Sequence, residues 1–91
     1  MIVTLTSSIS GEIIPGAFVA IVSEQDIEIP NDAVGIIGIR KSWGDKLVLG
    51  ATLAEPGYSG KLLLQLTNRS HRTIEIRKGE ELCNLVLVRA W

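Results

Sequence analysis

Glu55-Pro56-Gly57-Tyr58-Ser59-Gly60-Lys61-Leu62-Leu63-Leu64-Gln65-Leu66-Thr67-Asn68 sets a tight turn directly against an apolar run. Proline presets φ for a turn and the glycine after it accepts positive φ, so the chain reverses at Pro56-Gly57. The run that follows, Lys61–Thr67, is too short for a stable helix and ends in a second turn signal, Asn68-Arg69-Ser70. It reads as a strand. The unbroken Leu62-Leu63-Leu64 suits a strand covered on both faces, as does Leu85-Val86-Leu87-Val88.

The same grammar runs through the whole chain. Strands are expected near Ile2–Thr6, Ala17–Val22, Asp26–Ile29, Val34–Arg40, Lys46–Leu53, Lys61–Thr67, Thr73–Ile76 and Glu81–Val88. Ile27-Glu28-Ile29 and Ile74-Glu75-Ile76 alternate with period two, the mark of a strand with one wet face. Pro15-Gly16, Pro30-Asn31-Asp32 and Lys78-Gly79 punctuate them with turn chemistry. No stretch holds helical spacing. Many short strands so divided imply an all-β sandwich or barrel, as one domain over residues 1–91.

Composition narrows the function. At 91 residues with 46% hydrophobic residues, the chain has more apolar sequence than so small a domain can bury alone, and a subunit interface is the natural place for the surplus. A formal net charge of −1 lacks the broad basic field of a nucleic-acid coat, so direct nucleic-acid binding is not expected. No apolar run approaches the ~18–20 residues of a membrane span and no secretory leader pattern opens the chain, so a cytoplasmic protein with no membrane partner is expected. With one cysteine, Cys83, and one histidine, His71, no internal disulfide is possible and no metal site is expected.

Two groups of motifs go further. The first is Pro15-Gly16-Ala17-Phe18-Val19, Ile27-Glu28-Ile29-Pro30-Asn31-Asp32 and Gly38-Ile39-Arg40-Lys41-Ser42. The second is Glu55-Pro56-Gly57-Tyr58-Ser59-Gly60, then Asn68, then Gly79-Glu80-Glu81-Leu82-Cys83-Asn84-Leu85. In this order, across Ile14 to Val88, the chain resembles the dUTPase/dCTP deaminase family. That resemblance implies a distorted, jelly-roll-like β-barrel assembled as a homotrimer. It also implies nucleotide sites at subunit interfaces, each built from more than one chain. Enzymes of the family hydrolyse dUTP with magnesium or deaminate dCTP.

Residue by residue, the resemblance keeps the frame and alters the chemistry. Arg40 and Ser42 match the ends of an Arg-Ser-Ser phosphate motif whose middle position is here Lys41. A lysine still serves phosphate as a point charge. Glu55 stands where the hydrolases place a water-activating Asp, one methylene too long. A displacement of about 1 Å can cost roughly a hundredfold in rate. Gln65 replaces the deaminases' proton-shuttling Glu, and an amide takes up no proton at neutral pH. Ala51 stands where an Asn reads uracil, Asn84 replaces a late Gln, and no glycine-rich arm follows Trp91 in this sequence. Tyr58, which in the family packs under the deoxyribose, is retained.

The expected function is therefore a non-catalytic or barely catalytic trimer that binds a nucleotide or related phosphorylated small molecule, sequestering or sensing it. Its expected ligand-binding residues are Arg40, Lys41, Ser42, Tyr58, Gln65 and Asn84, with no cofactor of its own. Two alternatives stay open. One is an active nucleotide pyrophosphatase using Glu55 and Mg²⁺ brought with the nucleotide. The other is a structural trimer with vestigial pockets, in which Glu55 is a solvated turn residue and Tyr58 merely covers the barrel mouth. Trp43 either stacks on a base or plugs a neighbouring subunit, Trp91 anchors the last strand, and Cys83 is a small core residue.

Overall fold

The computed structural model describes residues 2–89. Nine strands follow one another: β1 (Ile2–Thr6), β2 (Gly11–Ile13), β3 (Phe18–Glu28), β4 (Ala33–Ile39), β5 (Leu47–Leu49), β6 (Leu53–Ala54), β7 (Ser59–Asn68), β8 (Ile74–Ile76) and β9 (Glu81–Arg89). They form three hydrogen-bonded sheets, ordered β1-β9-β4-β6, β3-β7-β5 and β2-β8. Every pairing is antiparallel. The sheets wrap one apolar core without joining into a continuous hydrogen-bonded cylinder, so the barrel is open. No helix among the described residues is long and apolar enough to cross a membrane.

The core is what the alternating strands send inward. Ile27 and Ile29, Ile74 and Ile76, and Leu62, Leu64 and Leu66 are all buried, while Glu28, Glu75 and Leu63 point out. The leucine run is thus covered on one face only, with Leu63 49% exposed, and in β9 Val88 is 41% exposed. These correct the expectation of double coverage within one subunit: a three-stranded sheet packed on one core has an outer face, and no element among the described residues covers it. Phe18, Val22, Val48 and Leu63 are exposed together on the outside of the β3-β7-β5 sheet.

Three other expectations shift for identifiable reasons. Ala17–Val22 and Asp26–Ile29 are one strand, interrupted by a bulge between Val22 and Asp26. Within it the fully buried Ser23 donates its hydroxyl to the Gln25 carbonyl and accepts from the Leu62 amide, so polar residues that read as a break are satisfied inside the sheet. Lys46–Leu53 is instead two short strands, because the chain leaves β7 after the Gly50 amide bonds the Gln65 carbonyl and then bonds β4, Thr52 O accepting from the Ile37 amide. Gly11–Ile13, unforeseen, becomes β2 by pairing with β8, a pairing that local patterning in three residues does not signal.

Candidate functional site

β4 carries the geometry that matters. At its C-terminal end Arg40 is held by its amide on the Leu82 carbonyl, and the chain then winds through a turn over residues 41–46. The half-buried guanidinium bonds Asn84 Oδ1 at 3.3 Å and pairs with Glu81 at 3.4 Å. Asn84, on the neighbouring strand, is bridged in turn to Thr4 at 3.4 Å. Arg40 and Asn84 are therefore brought together, with Lys41 and Ser42 exposed beside them in the turn. A cleft of about 540 Å³ opens here, lined by Arg40, Ser42, Trp43, Lys46 and the Gly79–Glu81 segment. Glu81 is the residue the sequence reading missed. It sets a carboxylate against the one guanidinium expected to hold phosphate, and only the β4–β9 register reveals the pairing.

Glu55 and Tyr58 lie at the other end of β4. The Gly57 amide bonds the Ile29 carbonyl and the Ile29 amide bonds the Tyr58 carbonyl, while the Ala33 amide that opens β4 bonds Pro30. Gly57 has φ of +83° and a Cβ there would stand 2.9 Å from Asn31 Oδ1, so only glycine closes this turn without strain. The Tyr58 hydroxyl donates to the Lys61 carbonyl, and its ring borders a shallow cleft of about 300 Å³ with Glu28–Asn31. Glu55 is exposed in the same turn. Six residue steps of strand separate Ala33 from Ile39, roughly 20 Å at 3.2–3.4 Å per residue. The structure does not bring Arg40 and Tyr58 together within one chain.

Gln65 is elsewhere again, in the middle of β7, between Ala20 of β3 and Gly50, whose Cβ position lies 3.1 Å from Gln65 Oε1. Trp43 is half-buried against the core, its indole N–H donated to the Glu81 carbonyl at 2.9 Å, and its remaining surface lines the Arg40 cleft. Cys83 is fully buried, and loss of water pushes its thiol up to about 11. His71 is exposed in the β7–β8 turn, and Trp91 lies outside the described residues.

Residues 5–90 match the family model described as dCTP deaminase-like. The chain is 32% identical over 77 residues to a dCTP deaminase of Pyrobaculum neutrophilum, covering 84% of this chain and 44% of that protein. It is 32% identical over 76 residues to a dCTP deaminase of Pyrococcus furiosus, covering 82% and 49%. The chain thus spans somewhat under half the length of the curated relatives it matches. Among solved structures, the dUTPase of phage phi11 of S. aureus superposes with a TM-score of 0.87 at 21% identity, over 97% of this chain and 75% of that one. Native EIAV dUTPase superposes with a TM-score of 0.85 at 18% identity, over 94% and 72%. The fold is shared with dUTPases, the family model covers nearly the whole chain, and the chain belongs to the dCTP deaminase-like family.

Proposed function

We propose that the chain binds a nucleotide or a similar phosphorylated small molecule as a homotrimer, without turning it over. Each pocket takes its anionic end, Arg40, Lys41 and Ser42, from one subunit and its sugar or base end, Tyr58, from another. The observation that carries this is the length of β4: two half-sites at its opposite ends, roughly 20 Å apart, reach a single ligand only when a second copy supplies one of them. The exposed apolar face of Phe18, Val22, Val48 and Leu63 supports association of copies. Gln65 and Asn84 belong to the proposed ligand-binding set, and Glu55 is the residue that would activate water if any hydrolysis remained.

A variant of the phi11 phage dUTPase is described as coordinating a structural Mg(II) ion. Here no group of three or more His, Cys, Asp or Glu among the described residues could hold a metal, and Glu55 is a single exposed carboxylate. The Gln65 carboxamide neither takes up nor returns a proton at neutral pH, which leaves deamination without its shuttle.

Thermal melting with a panel of nucleotides tests the reading, because a ligand bound only by the folded state raises Tm. Arg40→Ala should weaken a phosphorylated ligand roughly tenfold to a hundredfold, the cost of one charge-assisted contact. Glu81→Gln, which frees the guanidinium, should tighten it. Tyr58→Ala should weaken binding with less dependence on salt. No Tm rise with any nucleotide would make the pockets vestigial, and turnover lost in Glu55→Gln would make the protein a hydrolase.

A further inference from the structure

The turn that carries Lys41 and Ser42 has a second side. Arg69 ties the β7–β8 turn to it three times over: its amide bonds the Lys46 carbonyl at 2.9 Å, Nε the Asp45 carbonyl at 3.3 Å, and Nη2 the Gly44 carbonyl at 3.2 Å. Between the two turns lies a cleft of about 320 Å³. Trp43 lines this cleft and the Arg40 cleft alike, and so stands as the wall between them. Its plane is fixed by the indole bond to Glu81, and Lys46 Nζ sits 5.9 Å from the ring centroid. Ile74, Arg72 and Ser70 line this cleft and not the Arg40 cleft.

The charge balance of the cleft is positive. Its one carboxylate, Glu75, is already engaged by Arg77 at 3.0 Å. Among the described residues neither Lys46 nor Arg72 is paired with a carboxylate. Two uncompensated cations beside a rigid indole face match one ligand chemistry: an anionic group carried on a flat ring. The volume is at the lower end for small-molecule sites and accommodates one ring and one phosphate or carboxylate.

We infer that Trp43, Lys46 and Arg72 form a second ligand site, complete within one subunit, for a small ring-bearing anion of the mononucleotide class. It adjoins the Arg40 cleft, with which it shares Trp43 and Lys46, and is distinguished from it by Arg72 and Ile74. The site would let one subunit hold such an anion whether or not the trimer pocket is filled.

Adenosine 5′-monophosphate is a suitable probe, titrated against the fluorescence of Trp43 in a Trp91→Phe protein, where Trp43 is the only tryptophan. Quenching is expected with a dissociation constant on the order of 0.1–1 mM, with inorganic phosphate and adenosine each weaker than the joined molecule. Arg72→Ala should raise that constant about tenfold, and the effect should fall with added salt. The Arg72 side chain is exposed and makes no hydrogen bond or ion pair among the described residues, so this variant keeps the native melting temperature. The Arg72-dependent part of the quenching should survive in Arg40→Ala within about twofold, whereas any part lost there reports the Arg40 cleft, which Trp43 also lines. A titration unchanged in Arg72→Ala, or no quenching up to about 10 mM, overturns the site. Quenching lost in Arg40→Ala but kept in Arg72→Ala overturns it too, and instead supports the inter-subunit pocket.

Discussion

Replacing Asn68 by aspartate changes one atom in a fully buried side chain, and the structure states what that atom does. Asn68 Nδ2 donates to the Ile13 carbonyl and to the Arg72 carbonyl, both at 2.8 Å, tying β2 and the β7–β8 turn to the end of β7. Oδ1 accepts from the Ser70 amide at 2.8 Å and the Ser70 hydroxyl at 2.7 Å. Aspartate keeps the accepting oxygen and turns the donor into a second oxygen facing two carbonyls. Two lost hydrogen bonds are worth about 1 kcal/mol each, and a buried, unpaired carboxylate adds at least as much again. A loss of about 3–5 kcal/mol is expected near neutral pH, which in a domain of this size lowers Tm by at least about 12 °C.

The sign of the pH dependence makes the test sharper. Burial without a cation raises the folded-state pKa of the new carboxyl above its unfolded value. A group so shifted contributes its stability below the unfolded pKa and loses it as pH rises through the folded one. The gap between variant and parent should therefore be smallest near pH 4, where a protonated carboxyl can still donate to one carbonyl, and widen toward neutrality. Urea unfolding of both proteins across that range measures it, with equal m-values confirming that only stability has changed. A loss below about 1 kcal/mol, or a gap that does not move with pH, would refute the account of Asn68 as a buried double donor.

Two further changes probe the core. Gly35→Ala would place a methyl 2.7 Å from Leu85 Cδ1 and 3.1 Å from Ala54 Cβ and Ile29 Cδ1, so overpacking should cost about 1–3 kcal/mol in a urea midpoint. A neutral result would mean that Leu85 repacks freely. Cys83, its thiol raised from 9.0 to about 11 by burial, contributes stability below pH 9 that is lost as pH rises through 11. Relative to Cys83→Ala, the parent should lose about 2–3 kcal/mol across that window. Parallel alkaline limbs in the two proteins would sink this reading.

Local chemistry in the chain was enough for its strand vocabulary. Ile27-Glu28-Ile29 and Ile74-Glu75-Ile76 alternate because a strand's side chains alternate, and they do so whatever they pair with. Pro56-Gly57 and Lys78-Gly79 are turns because few other residues tolerate the required φ. The ordered motifs around Arg40, Tyr58 and Asn84 were likewise readable as a resemblance, and the family match covers the same ground. Those are properties of a residue and its immediate neighbours, or of their order along the chain.

What remained was decided by pairing at long range. β2 exists because Gly11–Ile13 meets β8 more than sixty residues away, and Ser23 is tolerated inside β3 because the Leu62 amide needs its oxygen. Leu63 points outward because one sheet face has no partner among the described residues, a fact of layering that a leucine run does not encode. The site shows the same division. Arg40 and Tyr58 could be named in order, but only the run of β4 puts them at opposite ends, and only the β4–β9 register sets Glu81 against the guanidinium. The Trp43 cleft is formed by two turns joined through Arg69, residues more than twenty positions apart. Sequence order carries local preference; which groups finally face one another depends on where distant segments pack.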